Sequence, residues 1–103
     1  MSNYNNAAPP IVLTIGGFDP SAGAGVAADL KTFAAHNCYG VAAITALTVQ
    51  STQGVKSVHV TPGSELRAQL DALLDDIKIT AIKIGMLGHR GNAVVVAEFL
   101  DRA

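Results

Sequence analysis

The residues able to do chemistry in this chain fall into three short blocks. The first is Gly16-Gly17-Phe18-Asp19-Pro20-Ser21-Ala22-Gly23-Ala24-Gly25, between the apolar run Ile11 to Ile15 and the helical pattern Val26, Leu30, Phe33, Ala34. Strand, glycine-rich turn and helix in that order bring bare backbone close to a ligand and aim helix N–H groups at it. One turn into the helix an acid, Asp29, stands beside the apolar stripe rather than opposite it. An unpaired buried charge costs several kcal/mol or neutralises itself, so this carboxylate needs a partner. A helix N–H, Lys31, Lys83 or a bound polar ligand would each serve.

The second block ends the apolar run Val41 to Gln50, where Thr48 and Gln50 are two apart and point to the same side of a strand. The Gln50 amide carries a donor face and an acceptor face. That pair matches an aminopyrimidine edge, much as Asn or Gln reads adenine, although an ordinary strand-end glutamine has the same atoms. The third block is Lys83-Ile84-Gly85-Met86-Leu87. The Met86 thioether fills core space or lies on the face of a flat ring. Lys83, inside a strand, reads as a snorkelling or ion-paired lysine.

Other chemistries find no support. No Gly-Lys-Ser/Thr follows the glycine turn, so the lysine and magnesium ligand of a Walker A loop are missing. The Gly-x-Gly is delayed by Asp19-Pro20-Ser21, and strand two ends in Gln50 rather than an acid suited to a ribose. His36, His59 and His89 have no metal-ligand spacing and read as surface residues. Cys38 reads as a small buried hydrophobe and Asp75-Asp76 as a solvated helix end.

The elements that must position these blocks alternate. Strands are expected over Ile11–Gly17, Val41–Gln50 and Ala81–Leu87, and helices over Ala22–His36, from Thr61-Pro62 through Ile77, and over Asn92–Arg102. Asn37 and Gly40 suit a left-handed helix terminus, and Thr61 suits an N-cap with proline following. Val55 to Val60 is expected as a short strand or extended arm after the polar turn Ser51 to Gly54. Three strand–helix units imply an α/β fold with a parallel sheet, whose ligands bind beyond the carboxyl ends of the strands. Gly17, Asp29, Thr48, Gln50 and Met86 therefore share one rim.

With 103 residues the chain is at most one domain, organised as a loose polar leader over 1–10 and a folded part over 11–103. Half of it is hydrophobic and 15% charged, which fits strands covered on both faces. A formal charge of −1 and five aromatic residues give no basis for nucleic-acid binding or attraction to an anionic membrane. No apolar stretch is long enough to span a bilayer. A single cysteine excludes an internal disulfide and fits a cytoplasmic location.

Together, Gly17 through Phe33, Tyr39-Gly40, Ile44 through Val55 and Lys83 through Leu87 resemble, in order and spacing, the hydroxymethylpyrimidine/phosphomethylpyrimidine kinases of thiamine biosynthesis, in the ribokinase-like superfamily. The resemblance implies a three-layer ribokinase-like parallel sheet with flanking helices, here incomplete at about three βα units. It implies phosphate transfer from ATP, with Mg2+, to the hydroxymethyl group of 4-amino-5-hydroxymethyl-2-methylpyrimidine and then to its monophosphate. It assigns Asp29 and Gln50 to hydrogen bonds with the aminopyrimidine edge, Gly17 to close approach, Met86 to packing on the ring and Thr48 to the pocket wall. Family members are longer, and their later part carries the nucleotide site and the catalytic residue, so no catalytic residue is assigned in this chain. The expectation is a pyrimidine-binding portion that is inactive alone, as a homodimer or beside a complementing C-terminal chain. Phe18 stands where relatives often have a small polar residue. A pyridoxal kinase, a non-catalytic pyrimidine-binding module and an unstable remnant are the alternatives.

Overall fold

The structure, a computed structural model, describes residues 8–103. Most of the expected leader lies outside the described residues. The elements are β1 (Ile11–Phe18), α1 (Gly25–Ala35), β2 (Tyr39–Ser51), β3 (Gly54–Val60), α2 (Gly63–Asp76), β4 (Ala81–Ile84) and α3 (Arg90–Arg102). One four-stranded sheet forms in the order β3-β2-β1-β4. β1 runs parallel to both β2 and β4, while β3 turns back antiparallel on β2.

Period-two patterning on β1 decides the layers. Leu13 and Ile15 are fully buried against Leu66 and Leu70 of α2 and Val95, Val96 and Phe99 of α3. Thr14 and Gly16 face the other way, toward α1, where a Cβ on Gly16 would touch Val26. Fully burying side chains such as Leu66 or Phe99 stabilises the fold by roughly 1.5–3 kcal/mol each. The expected α/β fold with helices on both faces of a mainly parallel sheet is therefore present.

Two irregularities re-aim the strands at the rim. Gly16 pairs with Ile44 but Gly17 pairs with Ala46, so Thr45 is an extra residue in β2. Ala46, Thr48 and Gln50 then fall on the side of Gly17 instead of the side of Gly16. Gln69 of α2 supports the break, accepting from Ile44 N at 2.8 Å and donating to Ile44 O at 3.0 Å. A second irregularity lets Val55 oppose Gln50 and Ser57 oppose Val49, leaving Lys56 unpaired. Val55 thereby takes the place beside Gln50 that regular pairing would give Lys56.

Several boundaries differ from expectation. α1 starts at Gly25, not Ala22, because residues 19–24 are held in a turn. Asn37 does adopt a left-handed φ of 60°, but Gly40 lies in β2 and is small because Leu30 and Phe33 pack there. Thr61 is not a cap. Its N–H bonds Thr45 O at 2.7 Å, and Pro62 precedes the first helical residue without a side-chain cap. β4 stops at Ile84, three residues early, because the chain then crosses the sheet. Gly85 N bonds Ile15 O of β1, Met86 O accepts from Thr45 of β2, and Gly88 abuts Val60 of β3. Asn92, fully buried at the start of α3, donates to Leu87 O at 2.9 Å and fixes the far end of this strap.

Candidate functional site

Beyond the carboxyl ends of β1, β2 and β4 lies a cavity of about 290 Å³. A single substituted heterocycle fits that volume, at the small end for ligand pockets. Gly16 and Gly17 line its floor, Thr48 and Gln50 one side, Val55 and Val58 of β3 the wall beyond them, and Gly85, Met86 and Lys83 the opposite side. Four of the five residues expected on one rim, Gly17, Thr48, Gln50 and Met86, thus line one cavity. Asp29 stands behind the lining, next to Lys83.

Gly17 and Met86 define the slot between them. A Cβ at Gly17 would come within 2.7 Å of the Met86 terminal methyl, so the bare backbone is what leaves room under the thioether. Met86 is 45% exposed, which makes it a pocket residue and not core filling.

Thr48 and Gln50 do share a side of β2. Thr48 Oγ1 lies 2.9 Å from Phe18 O and 2.9 Å from Gln50 Oε1. A hydroxyl has one proton, so it satisfies one of these oxygens at a time. With the Gln50 amide turned over, its nitrogen donates to Thr48 Oγ1 while the Thr48 hydroxyl donates to Phe18 O. Either way Thr48 holds one half of the amide and leaves the other half to a ligand.

The glycine turn works differently from the expectation that its N–H groups aim at a ligand. The Asp19 carboxylate collects them. Oδ1 accepts from Ser21 N at 2.8 Å and Ser21 Oγ at 2.7 Å, and Oδ2 accepts from Gly23 N at 3.1 Å and Ala24 N at 3.2 Å. Its pKa is lowered chiefly by the Ser21 hydroxyl, with desolvation opposing and the three backbone N–H groups adding to the effect. Gly25, at φ 69°, then folds the turn back onto β1, where a Cβ would lie 2.2 Å from Gly17 O. The turn's own acid fills its anion nest, so these amides are not free for a phosphate.

Asp29 finds two protein partners. Thr14 Oγ1 donates to its Oδ2 at 2.7 Å, and Lys83 Nζ lies 2.9 Å from the same oxygen. Desolvation raises the Asp29 pKa most, but the Lys83 and Thr14 hydrogen bonds and the ammonium charge together outweigh it, leaving a lowered value. Among the partners the sequence left open, Lys83 is the one realised. Asp19, Val55, Val58 and Lys83 are site residues that the sequence reading did not assign to a ligand. The Asp-x-Ser spacing, a local side-chain turn signal, was available for Asp19.

The loop amides are taken, and no group of three His, Cys, Asp or Glu side chains converges among the described residues. No helix among them is long and apolar enough to cross a membrane.

The phosphomethylpyrimidine kinase family model matches residues 19–103. The chain belongs to that family. It is 50% identical over 90 residues to the hydroxymethylpyrimidine/phosphomethylpyrimidine kinase of Escherichia coli, covering 87% of this chain and 34% of that protein. The crystal structure of phosphomethylpyrimidine kinase from Clostridium difficile superimposes with a TM-score of 0.86 at 41% identity, covering 90% of this chain and 40% of that one. A pyridoxal kinase from Staphylococcus aureus, solved with AMP-PCP and pyridoxal, gives a TM-score of 0.84 at 38% identity, covering 94% and 36%. The chain thus spans about a third of the length of the single-function kinases it matches, a part of the family domain rather than the whole.

Proposed function

We propose that this chain is the ring-binding part of a kinase that phosphorylates 4-amino-5-hydroxymethyl-2-methylpyrimidine and its monophosphate for thiamine biosynthesis. The observation that carries this reading is the single-ring cavity at the strand ends, lined by Gly17, Thr48, Gln50 and Met86 in a chain of this family. Gln50 reads the aminopyrimidine edge with the half of its amide that Thr48 leaves free. Met86 packs on one ring face, and Gly17 lets the other approach the backbone. Asp29, behind the lining with both of its protein bonds on Oδ2, is proposed to turn Oδ1 toward the amino group.

The family's chemistry takes its phosphate from ATP with Mg2+. Phosphoryl transfer depends on donors and cations fixed around the transferring group. Our reading assigns ring binding and not that apparatus to the described residues, so the isolated chain is expected to bind without turnover. Calorimetric titration with the aminopyrimidine tests the reading: saturable binding is expected, weakened at least tenfold by Gln50→Ala, roughly the cost of an unpaired edge. No binding by the folded wild-type chain would overturn it, and turnover with ATP and Mg2+ would overturn the incompleteness.

The likeness to pyridoxal kinase supports a second reading, with pyridoxal as the ring. Competition between the two rings decides between them, and we expect the aminopyrimidine to displace pyridoxal. The reading extends to a cytoplasmic protein that acts as a homodimer or beside a complementing chain, tested by localisation and by sedimentation of the native protein.

A further inference from the structure

The side of the cavity formed by β4 carries one ammonium, Lys83, the only basic group in the lining among the described residues. The acid in that lining, Asp19, is already saturated by its own turn. Lys83 Nζ is held 2.9 Å from Asp29 Oδ2, and Thr14 fixes that oxygen from β1 at 2.7 Å. An ammonium has three donors, and this ion pair uses one. The Lys83 side chain is 48% exposed, so the remaining donors meet open space. Glycine keeps that space open, because a Cβ on Gly85 would lie 3.3 Å from Nζ.

We propose that Lys83 lets this pocket accept a ring bearing a phosphate ester as well as one bearing the free alcohol, by donating to a phosphate oxygen while Asp29 and Thr14 hold it in place. The inference rests on the pyrimidine-pocket reading above. The two ligands share a ring and differ by roughly −1.5 to −2 charges on one substituent. Gln50, Gly17 and Met86 serve the ring and do not distinguish them. Before the ester arrives, Asp29 neutralises the ammonium, so the uncharged alcohol meets no net charge on that side. With the ester bound, the ammonium bridges carboxylate and phosphate, a task suited to a flexible point charge.

The test is calorimetric titration of the 103-residue chain with the aminopyrimidine alcohol and, separately, its monophosphate. Lys83→Met is expected to weaken the monophosphate roughly tenfold or more and the alcohol less than about threefold, and Lys83→Arg to restore most of the loss. Added salt should weaken monophosphate binding only where position 83 is cationic. Equal losses for both ligands, or no loss for the monophosphate, would overturn the inference while leaving the ring site intact. The double variant Asp29→Asn/Lys83→Met guards against a trivial effect, read as the ratio of monophosphate to alcohol affinity because Asp29 also serves the ring: if that ratio returns to the wild-type value, Lys83 merely shields Asp29 and the inference is wrong. Failure of the wild-type chain to bind either ligand sinks the ring-site reading itself, and the inference with it.

Discussion

The two halves of β2 have similar residues and opposite surroundings. In the lower half Ala43 and Thr45 are fully buried, under α2 and the strap after β4. In the upper half Leu47 and Val49 are 52% and 45% exposed, and every residue of the paired strand β3 is exposed. Side chains of equal strand propensity therefore contribute unequally, because propensity in a sheet is mostly a measure of what covers the strand. The lower half holds the fold together, and the upper half, with β3, walls the cavity.

Cavity creation in the covered region gives the largest expected effect. Phe99→Ala should destabilise by about 3–5 kcal/mol, whereas Val58→Ala on the uncovered hairpin should stay within about 0.5 kcal/mol. Urea unfolding of both variants checks this, and similar losses would show that the hairpin is covered in solution. Gly25→Ala comes next, at roughly 2 kcal/mol or more, since the new Cβ meets a carbonyl in a left-handed backbone. Its effect should appear as unfolding of the turn between β1 and α1, read by hydrogen exchange at Ser21, Gly23 and Ala24.

A pH series separates the acids at the rim from the core. Asp19 and Asp29 both have folded pKa values below 3.8, so the native state binds fewer protons than the unfolded chain in that range. Their stabilisation is complete above the unfolded pKa and is lost as pH falls through the folded values. Stability should be level from pH 5 upward on this account and drop below about pH 4, with a shallower drop in Asp19→Asn and Asp29→Asn. An unchanged slope in both variants would remove the acids from the explanation. The smallest effect is a gain: Ala22, at φ 60°, is the one alanine among the described residues in a left-handed conformation, and Ala22→Gly should stabilise by about 0.5 kcal/mol in thermal melts.

The alternation of apolar runs and helical spacing made the layers legible, because a two-residue period on β1 can bury Leu13 and Ile15 in only one direction. Strand-end geometry likewise made Gly17, Thr48, Gln50 and Met86 legible as neighbours. The register breaks at Thr45 and Lys56 were not, since nothing local to either residue forces an extra position in a strand. For the first, the support comes from Gln69 of α2, distant in sequence. The bond between Asp29 and Lys83 joins residues 54 apart, and only the pairing of β4 with β1 brings them together. β4 itself looked longer in sequence than it is, because Gly85 to Leu87 keep strand-like composition while leaving the sheet.

The strap after β4 has a consequence for how the cavity adapts. Its main chain is tied down by Thr45 at Met86 O and by Asn92 at Leu87 O, so it has little freedom to follow a guest. The adjustable part is the methionine side chain, three single bonds ending in a polarisable sulfur and methyl. Accommodation of a bulkier ring substituent would come from torsions of that one side chain, giving graded tolerance of ring homologues instead of all-or-none rejection.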